Sequence, residues 1–328
     1  MFQRSSVYIT ALTCLSLYGC AGLDTRLPEI AAADVAAEKQ HQETTALQQF
    51  EKDAGVLLNV GWPVLTANAP LCPKVRASIG VKTHQLKSYP KRMRETAGRI
   101  LGADETARIF HIADGSPAAL AGFRRGDVIL NDQNEPAKLN GDSWDSVLAD
   151  NKVNVRRGDD ILDINVQPVS ACDYNLRLSQ SGAINAYADG RNITVTTSMM
   201  DFTQSDSELA LIIGHELGHN TMSHIRKIIG NYIFSLGGTR YTRPFESEAD
   251  YVGLYYMARA GYSPNNVEDF WQRLALVSPK GISRAKTHPT FPERYIYIRA
   301  ARDEILEKQK AGTPLLPNFK TRSDPSDP

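Results

Sequence analysis

The stretch GHELGHNTMSHI, residues 214–225, places His215 and His219 four positions apart. On a helix that spacing stacks the two imidazoles on one face, where both ring nitrogens reach a single metal ion. Glu216 lies between them in sequence and one position round the helix, free to stay unligated beside the remaining coordination position. Ser205 followed by Glu208 in SDSELALIIGHELGH is a capping-box pattern that opens the helix these residues need, and the helical pattern runs from about Ser207 to Ile229. A hydrolytic zinc ion takes three protein ligands and a water whose pKa the cation lowers towards neutrality, and Glu216 is placed to accept the proton of that water.

A third ligand has to come from elsewhere. About thirty residues on, RPFESEADYVGLYYMARAGYSP reads as a second helix, from Pro244 to Ala260, with Glu246 and Asp250 again four apart. One carboxylate can ligate the metal while the other accepts the second ring N–H of a ligating histidine. Taken alone, each would be read as part of a solvated helix face.

Together, HELGHNTMSH and ESEADYVGLYYMARAGYSP closely resemble the M48 family of zinc metallopeptidases, whose pattern is HExxH, often a histidine five residues on, then ExxxD, a glycine and an AGY.P turn. NAYADGRNITVTTSMM resembles the strand pair that precedes the family's metal helix, and THPTFPERYIYI resembles its THP...ER segment. The likeness covers about residues 172–300. It implies one zinc ion per chain held by His215, His219 and Glu246, Glu216 as general base, and Asp250 behind a ligating histidine. His288 is open between a loop histidine and a group that approaches the metal site to take the water position or to stabilise an oxyanion. Tyr241 and Arg243 are candidates for the cleft wall. Glu248 matches a variable position and is expected to be exposed. His224, about 140° round the helix from His219, is assigned a structural hydrogen-bonding role. His41, His84 and His111 have no evident partners.

The implied fold is α+β: a mainly helical gluzincin-like metallopeptidase domain with a small antiparallel sheet, over residues 55–75 and 171–310, interrupted at 76–170 by a β-rich insertion. Within that insertion DGSPAALAGFRRGDVIL gives Ser116 as a cap, Pro117 at the first helical position, Gly122 as the stop and Gly126-Asp127 as a turn into a strand. This run resembles the PDZ modules of bacterial envelope proteases, which implies a peptide ligand taken as an added strand. The loop that should bind a peptide carboxylate is not evident in KSYPKRMRETAGRILGADETARIF, so a purely structural or gating insertion stands beside that reading. A second RRGD, residues 156–159, reads as another tight turn. The strand around Asn185 to Ala188 is a candidate edge on which an extended substrate aligns by backbone hydrogen bonds, which favours unfolded chains.

Residues 1–19 read as a bacterial lipoprotein signal peptide ending in LYGC, with Cys20 as the acylated residue. The expected location is the periplasm, tethered by lipid alone, with Ala21 pointing to the outer membrane. Residues 20–54, rich in Ala, Glu and Gln, form an N-terminal helical segment, and 311–328, rich in proline, a disordered tail. Of the four cysteines, Cys14 falls in the signal, leaving Cys72 and Cys172 to form a disulfide across the insertion or to stay as buried thiols. The 37 basic and 37 acidic side chains balance, which gives no basis for a nucleic-acid partner. The sequence therefore favours an endopeptidase acting on unfolded or misfolded protein substrates. A chaperone-like or binding lipoprotein with a latent or structural metal site is the alternative, and an iron site of two histidines and one carboxylate ranks third.

Overall fold

A 36-residue helix, α1 (Ala32–Ala67), opens the computed structural model, which describes residues 27–139, 144, 147, 148, 150–224, 243–277 and 292–318. The signal peptide, Cys20, Tyr241 and His288 lie outside the described residues, as does the side chain of Arg243. The chain divides after Gln40, and the part of α1 before that point is exposed. Helix α1 does not stop near Ala54. It continues through Gly55, Gly61 and Pro63, residues that each disfavour a helix interior. Packing explains why: the bare Gly61 backbone lies against Leu176, where a Cβ would stand 2.5 Å from the leucine side chain. Leu57, Val60, Val64 and Leu65 are buried beside it. The carbonyls at its C-terminus are satisfied by Asn68, which donates to Val64 (2.9 Å), and by Arg259, which donates to Ala67 (2.9 Å). Residues 55–67 thus continue the expected N-terminal helix as part of the helical core.

Strands β1 (Val75–Ser78) and β7 (Val169–Cys172) pair antiparallel, and between them the chain builds a sheet of its own. Its order is β2 (Val81–His84), β3 (Arg108–Ile112), β4 (Val128–Ile129), β5 (Lys152–Arg157), β6 (Asp160–Asn165), all antiparallel. Ile79, Ile109, Ile129, Trp144, Val153 and Val155 form a separate core under it. Helix α3 (Pro117–Ala121) starts on the Ser116 hydroxyl, which accepts from Ala119 N at 3.3 Å, and ends on Gly122 at φ 83°. The two RRGD turns are joined: Arg157 from the second donates twice, at 2.8 and 2.7 Å, to the buried Asp127 of the first. Cys72 and Cys172 are bonded, with Cα atoms 5.5 Å apart, closing the base of the insertion.

Within KSYPKRMRETAGRILGADETARIF, where no carboxylate-binding loop was evident, the chain forms α2 (Arg94–Leu101), ending on Gly102 at φ 67°, and Ala97 with the preceding Met93 packs with Leu47 of α1. His84 and His111 do have partners. His84 is buried, with Nδ1 2.7 Å from the Tyr89 hydroxyl and its ring stacked on Phe110, and His111 Nε2 lies 3.9 Å from Glu51.

The third sheet has the order β8 (Asn175–Ser179), β10 (Asn192–Thr196), β9 (Ala186–Ala188). β9 and β10 form the expected antiparallel hairpin, turning at Gly190 with φ 88°. β10 and β8, however, run parallel, so the sheet is mixed. Every residue of β10 is buried, as suits a central strand covered on both faces, and alternation could not reveal its partner's direction. Helices α4 (Thr197–Phe202), α5 (Asp206–Thr221), α6 (Arg243–Arg259), α7 (Val267–Val277) and α8 (Pro292–Ala311) complete the α+β arrangement. The main core gathers Val64, Leu176, Ile193, Leu209, Ile213, Val252, Tyr255, Phe270 and Ile298. In the expected tail, the Asn318 N–H donates to the Tyr251 hydroxyl at 2.8 Å and Leu315 packs on the core. Among the described residues no helix is long and apolar enough to cross a membrane.

Burial, helped by the nearby Arg125, pushes His84 down to about 4 from an ordinary 6.5. The unfolded chain takes up this proton near pH 6.5 and the folded one only near pH 4, so stability falls as pH drops through that window. Chemical unfolding at pH 7 and pH 5 should show roughly 2 kcal/mol of acid-side loss from this residue. In His84→Gln that component of the slope is absent; equal slopes in both proteins would refute it.

Candidate metal centre

Helix α5 begins on Ser205, whose hydroxyl accepts from Glu208 N at 3.3 Å, while the Glu208 carboxylate accepts from Gln204 N at 2.8 Å. From Leu209 to Asn220 every residue is buried, so the polar ones need internal partners. Asn220 accepts from Gly190 N (2.8 Å) and donates to Asn192 O (3.2 Å), fixing the end of α5 to the β9–β10 turn.

Three glycines set the spacing between α5 and α6. A Cβ on Gly214 would stand 2.5 Å from the carbonyl oxygen of Gly253, and one on Gly253 would stand 2.7 Å from His215 N. Gly218 is similarly close to Ala249 and Val252. The helices therefore touch backbone to backbone, which brings the His215/His219 face of α5 onto the Glu246/Asp250 face of α6.

The result is a cluster of three donors, His215, His219 and Glu246, whose ligand atoms all lie within 4.8 Å of one another. His215 Nε2 is 3.1 Å from His219 Nε2 and 3.6 Å from Glu246 Oε2, and His219 Nε2 is 3.5 Å from Glu246 Oε1. Tetrahedral bonds of about 2.0–2.1 Å place ligand atoms about 3.3 Å apart, so these separations fit a zinc-sized ion. The donor set, two imidazoles and a carboxylate, is equally suited to it. Glu216 is 2% exposed and acts electrostatically on both His215 and Arg294.

Behind His215, Asp250 Oδ1 lies 2.8 Å from Nδ1, so that once Nε2 is deprotonated its lone pair is directed at the cluster. Asp250 is in turn clamped by Arg294, which donates from Nε and Nη2 at 2.5 Å each and lies 3.6 Å from Glu246. The guanidinium stacks 4.1 Å from the Trp271 ring centre. Burial works to raise Asp250's pKa, but Arg294 and His215 outweigh it and hold the carboxyl below the usual range. Burial likewise works to lower His215, yet Asp250 and Glu246 hold it up at about 9, so an empty centre keeps a proton there that a cation would displace.

Helix α5 ends at Thr221, short of the expected Ile229; residues 225–229 lie outside those described. Ser223 takes φ 56°, and His224 folds back instead of continuing round the helix, so that its Nδ1 lies 3.0 Å from His219 Nδ1. Glu248 is partly covered, its side chain 38% exposed, and accepts from His224 at 2.8 Å. Cys72 and Cys172, joined at the end of β7, are not among the three converging donors. Sequence reasoning missed Arg294, Trp271 and Asn220. Arg294 lies in the THPTFPERYIYI run that resembles the family, but the residue types around it give no sign that it is buried.

Gly253→Ala should push α5 from α6. The expected outcome is a loss of about 1–3 kcal/mol of stability, as for other overpacked contacts, together with weaker metal binding. Thermal denaturation and metal content would check it, and a variant with unchanged values would mean that the close approach is not needed.

A family model described as "Peptidase family M48" matches residues 163–236 and 227–302. The mitochondrial metalloendopeptidase OMA1 of Arabidopsis thaliana is 29% identical over 135 residues, which cover 34% of this chain and 28% of that protein. The beta-barrel assembly-enhancing protease of Yersinia pestis is 25% identical over 137 residues, covering 31% and 28%. The metalloprotease LoiP of Escherichia coli (strain K12) is 26% identical over 166 residues, covering 42% and 64%. The chain thus spans less than two thirds of the length of each of these relatives. The stretch that is similar to peptidase family M48, residues 163–302, is the one that contains the three converging donors.

Proposed function

We propose that this protein is a zinc-dependent endopeptidase that hydrolyses peptide bonds of unfolded or misassembled envelope proteins. The observation that carries the reading is the convergence of His215, His219 and Glu246 beside the buried carboxylate of Glu216. Zinc bound there would supply a Lewis acid that polarises a carbonyl and makes a water acidic near neutral pH.

The chain's own residues do the rest. Glu216 accepts the proton of the attacking water and returns it to the departing amine. Asp250 keeps the His215 proton on Nδ1, and Arg294 holds Asp250 ionised. Strand β9 lies at the edge of its sheet, with Tyr187 42% exposed, and suits a substrate that docks in extended form by backbone hydrogen bonds. Such docking reads main chain more than side chains, which favours unfolded proteins.

In this reading residues 76–170 are a PDZ-like insertion that selects or gates substrates. The order strand, capped helix, glycine turn, strand from β3 to β4 supports the likeness. Cys20 would carry the lipid that holds the protein at the periplasmic face of the outer membrane. Relatives named as beta-barrel assembly-enhancing proteases favour protein substrates and an envelope role.

Casein cleavage by the protein and by its Glu216→Gln variant, with bound zinc assayed in both, tests this. The variant is expected to keep its zinc and to lose about 10²–10⁴-fold in rate. An equally active variant would remove Glu216 from the mechanism. Zinc in both with cleavage by neither would favour a chaperone-like lipoprotein.

A further inference from the structure

His224 is fully buried just past the end of α5, facing one of the three donors from behind. Its Nδ1 lies 3.0 Å from His219 Nδ1, and its Nε2 lies 2.8 Å from Glu248 Oε2. Its ring stacks on Phe245, 4.8 Å between centres and 28° between planes, so the residue preceding the third donor sets its orientation. The imidazole gets there because α5 stops at Thr221 and Ser223 takes a left-handed φ of 56°.

Proton placement along this line follows from valence. If His219 offers the Nε2 lone pair to a cation, its proton sits on Nδ1 and points at His224 Nδ1. His224 Nδ1 must then be the acceptor, and its own proton sits on Nε2, pointing at Glu248. A carboxylate, which only accepts, ends the line. His215 has a differently built support: its Nδ1–H goes directly to Asp250, a buried carboxylate clamped by Arg294.

Resting on the metal-centre reading above, we infer that His224 is a positioning residue for His219, fixing its tautomer and ring orientation towards a divalent cation, with Glu248 as the anchor. The two histidine donors are thus held by chemically different partners. His215 leans on an ionic pair that no solvent reaches, and His219 on a neutral imidazole whose anchor is 38% exposed. The His219 side is the weaker support, and the metal's hold depends on the short turn that presents His224.

Zinc affinity measured by chelator competition on the protein and on His224→Leu, His224→Asn and Glu248→Gln tests this. His224→Leu, which removes the acceptor and keeps apolar bulk, should weaken zinc binding by about 10- to 100-fold. His224→Asn places an amide oxygen near the position of Nδ1, so it should recover most of that loss. Glu248→Gln should cost less than the leucine variant. In the zinc-loaded protein the His219 Nδ1–H should give a protected, downfield proton resonance, present in the asparagine variant and absent from the leucine one. A role in packing alone predicts the reverse order, leucine tolerated and asparagine harmful. Zinc bound normally by the unaltered protein and by His224→Leu would overturn the positioning role by itself. An unaltered protein that takes up no zinc would overturn the metal centre and, with it, this inference.

Discussion

The backbone contact between Gly214 and Gly253 is the constraint on which the rest depends. Two helices bearing ordinary side chains pack about 8–10 Å apart, too far for short donors on both to meet around one small ion. Here the carbonyl of Gly253 occupies the space a Cβ of Gly214 would need, and His215 N borders the space a Cβ of Gly253 would need. The histidine pair and the carboxylate pair are each four residues apart on their own helix, so once the axes are close both pairs face the same point. The cost is that α5 is buried nearly all round, which forces every polar group on it to find a partner inside the protein.

Those partners form a graded electrostatic structure. Arg294 is fully buried, an expensive position that its two hydrogen bonds to Asp250 offset. Together they place a negative group behind His215 while keeping it from taking the proton. Trp271 closes the far face of the guanidinium and also meets His215 edge-on, so α7 and α8 both brace a centre whose donors all lie on α5 and α6. Removing Arg294 would take from the buried Asp250 the larger of its two compensating charges, leaving His215 beside it.

Part of this centre was legible in the sequence because helical periodicity turns spacing into geometry: His215 with His219, and Glu246 with Asp250, fall on one face of their helices, while the choice of Glu246 over Asp250 as donor came from the family resemblance. Ser116, Gly122 and Gly126 were equally readable, since caps and left-handed turns constrain residue type locally. What escaped depended on contacts distant in the chain. Helix α1 crosses Gly55 and Pro63 because tertiary burial outweighs propensity, and the parallel pairing of β8 with β10 is decided by a connection whose residues carry no direction. His224 was placed by helix angle, but the helix had already ended, and a left-handed serine is not a pattern one reads in advance. Arg294 stands in the THP...ER segment of the resemblance, but its partner on α6 could not be read from that run.

X-ray absorption at the zinc edge of the loaded protein tests the metal centre most directly, because it reports the donors themselves. The expected result is one zinc per chain with two imidazoles and oxygen donors at about 2.0–2.1 Å and no sulfur. Sulfur donors, a single imidazole, or no zinc at all would contradict the arrangement of α5 and α6 as a metal site.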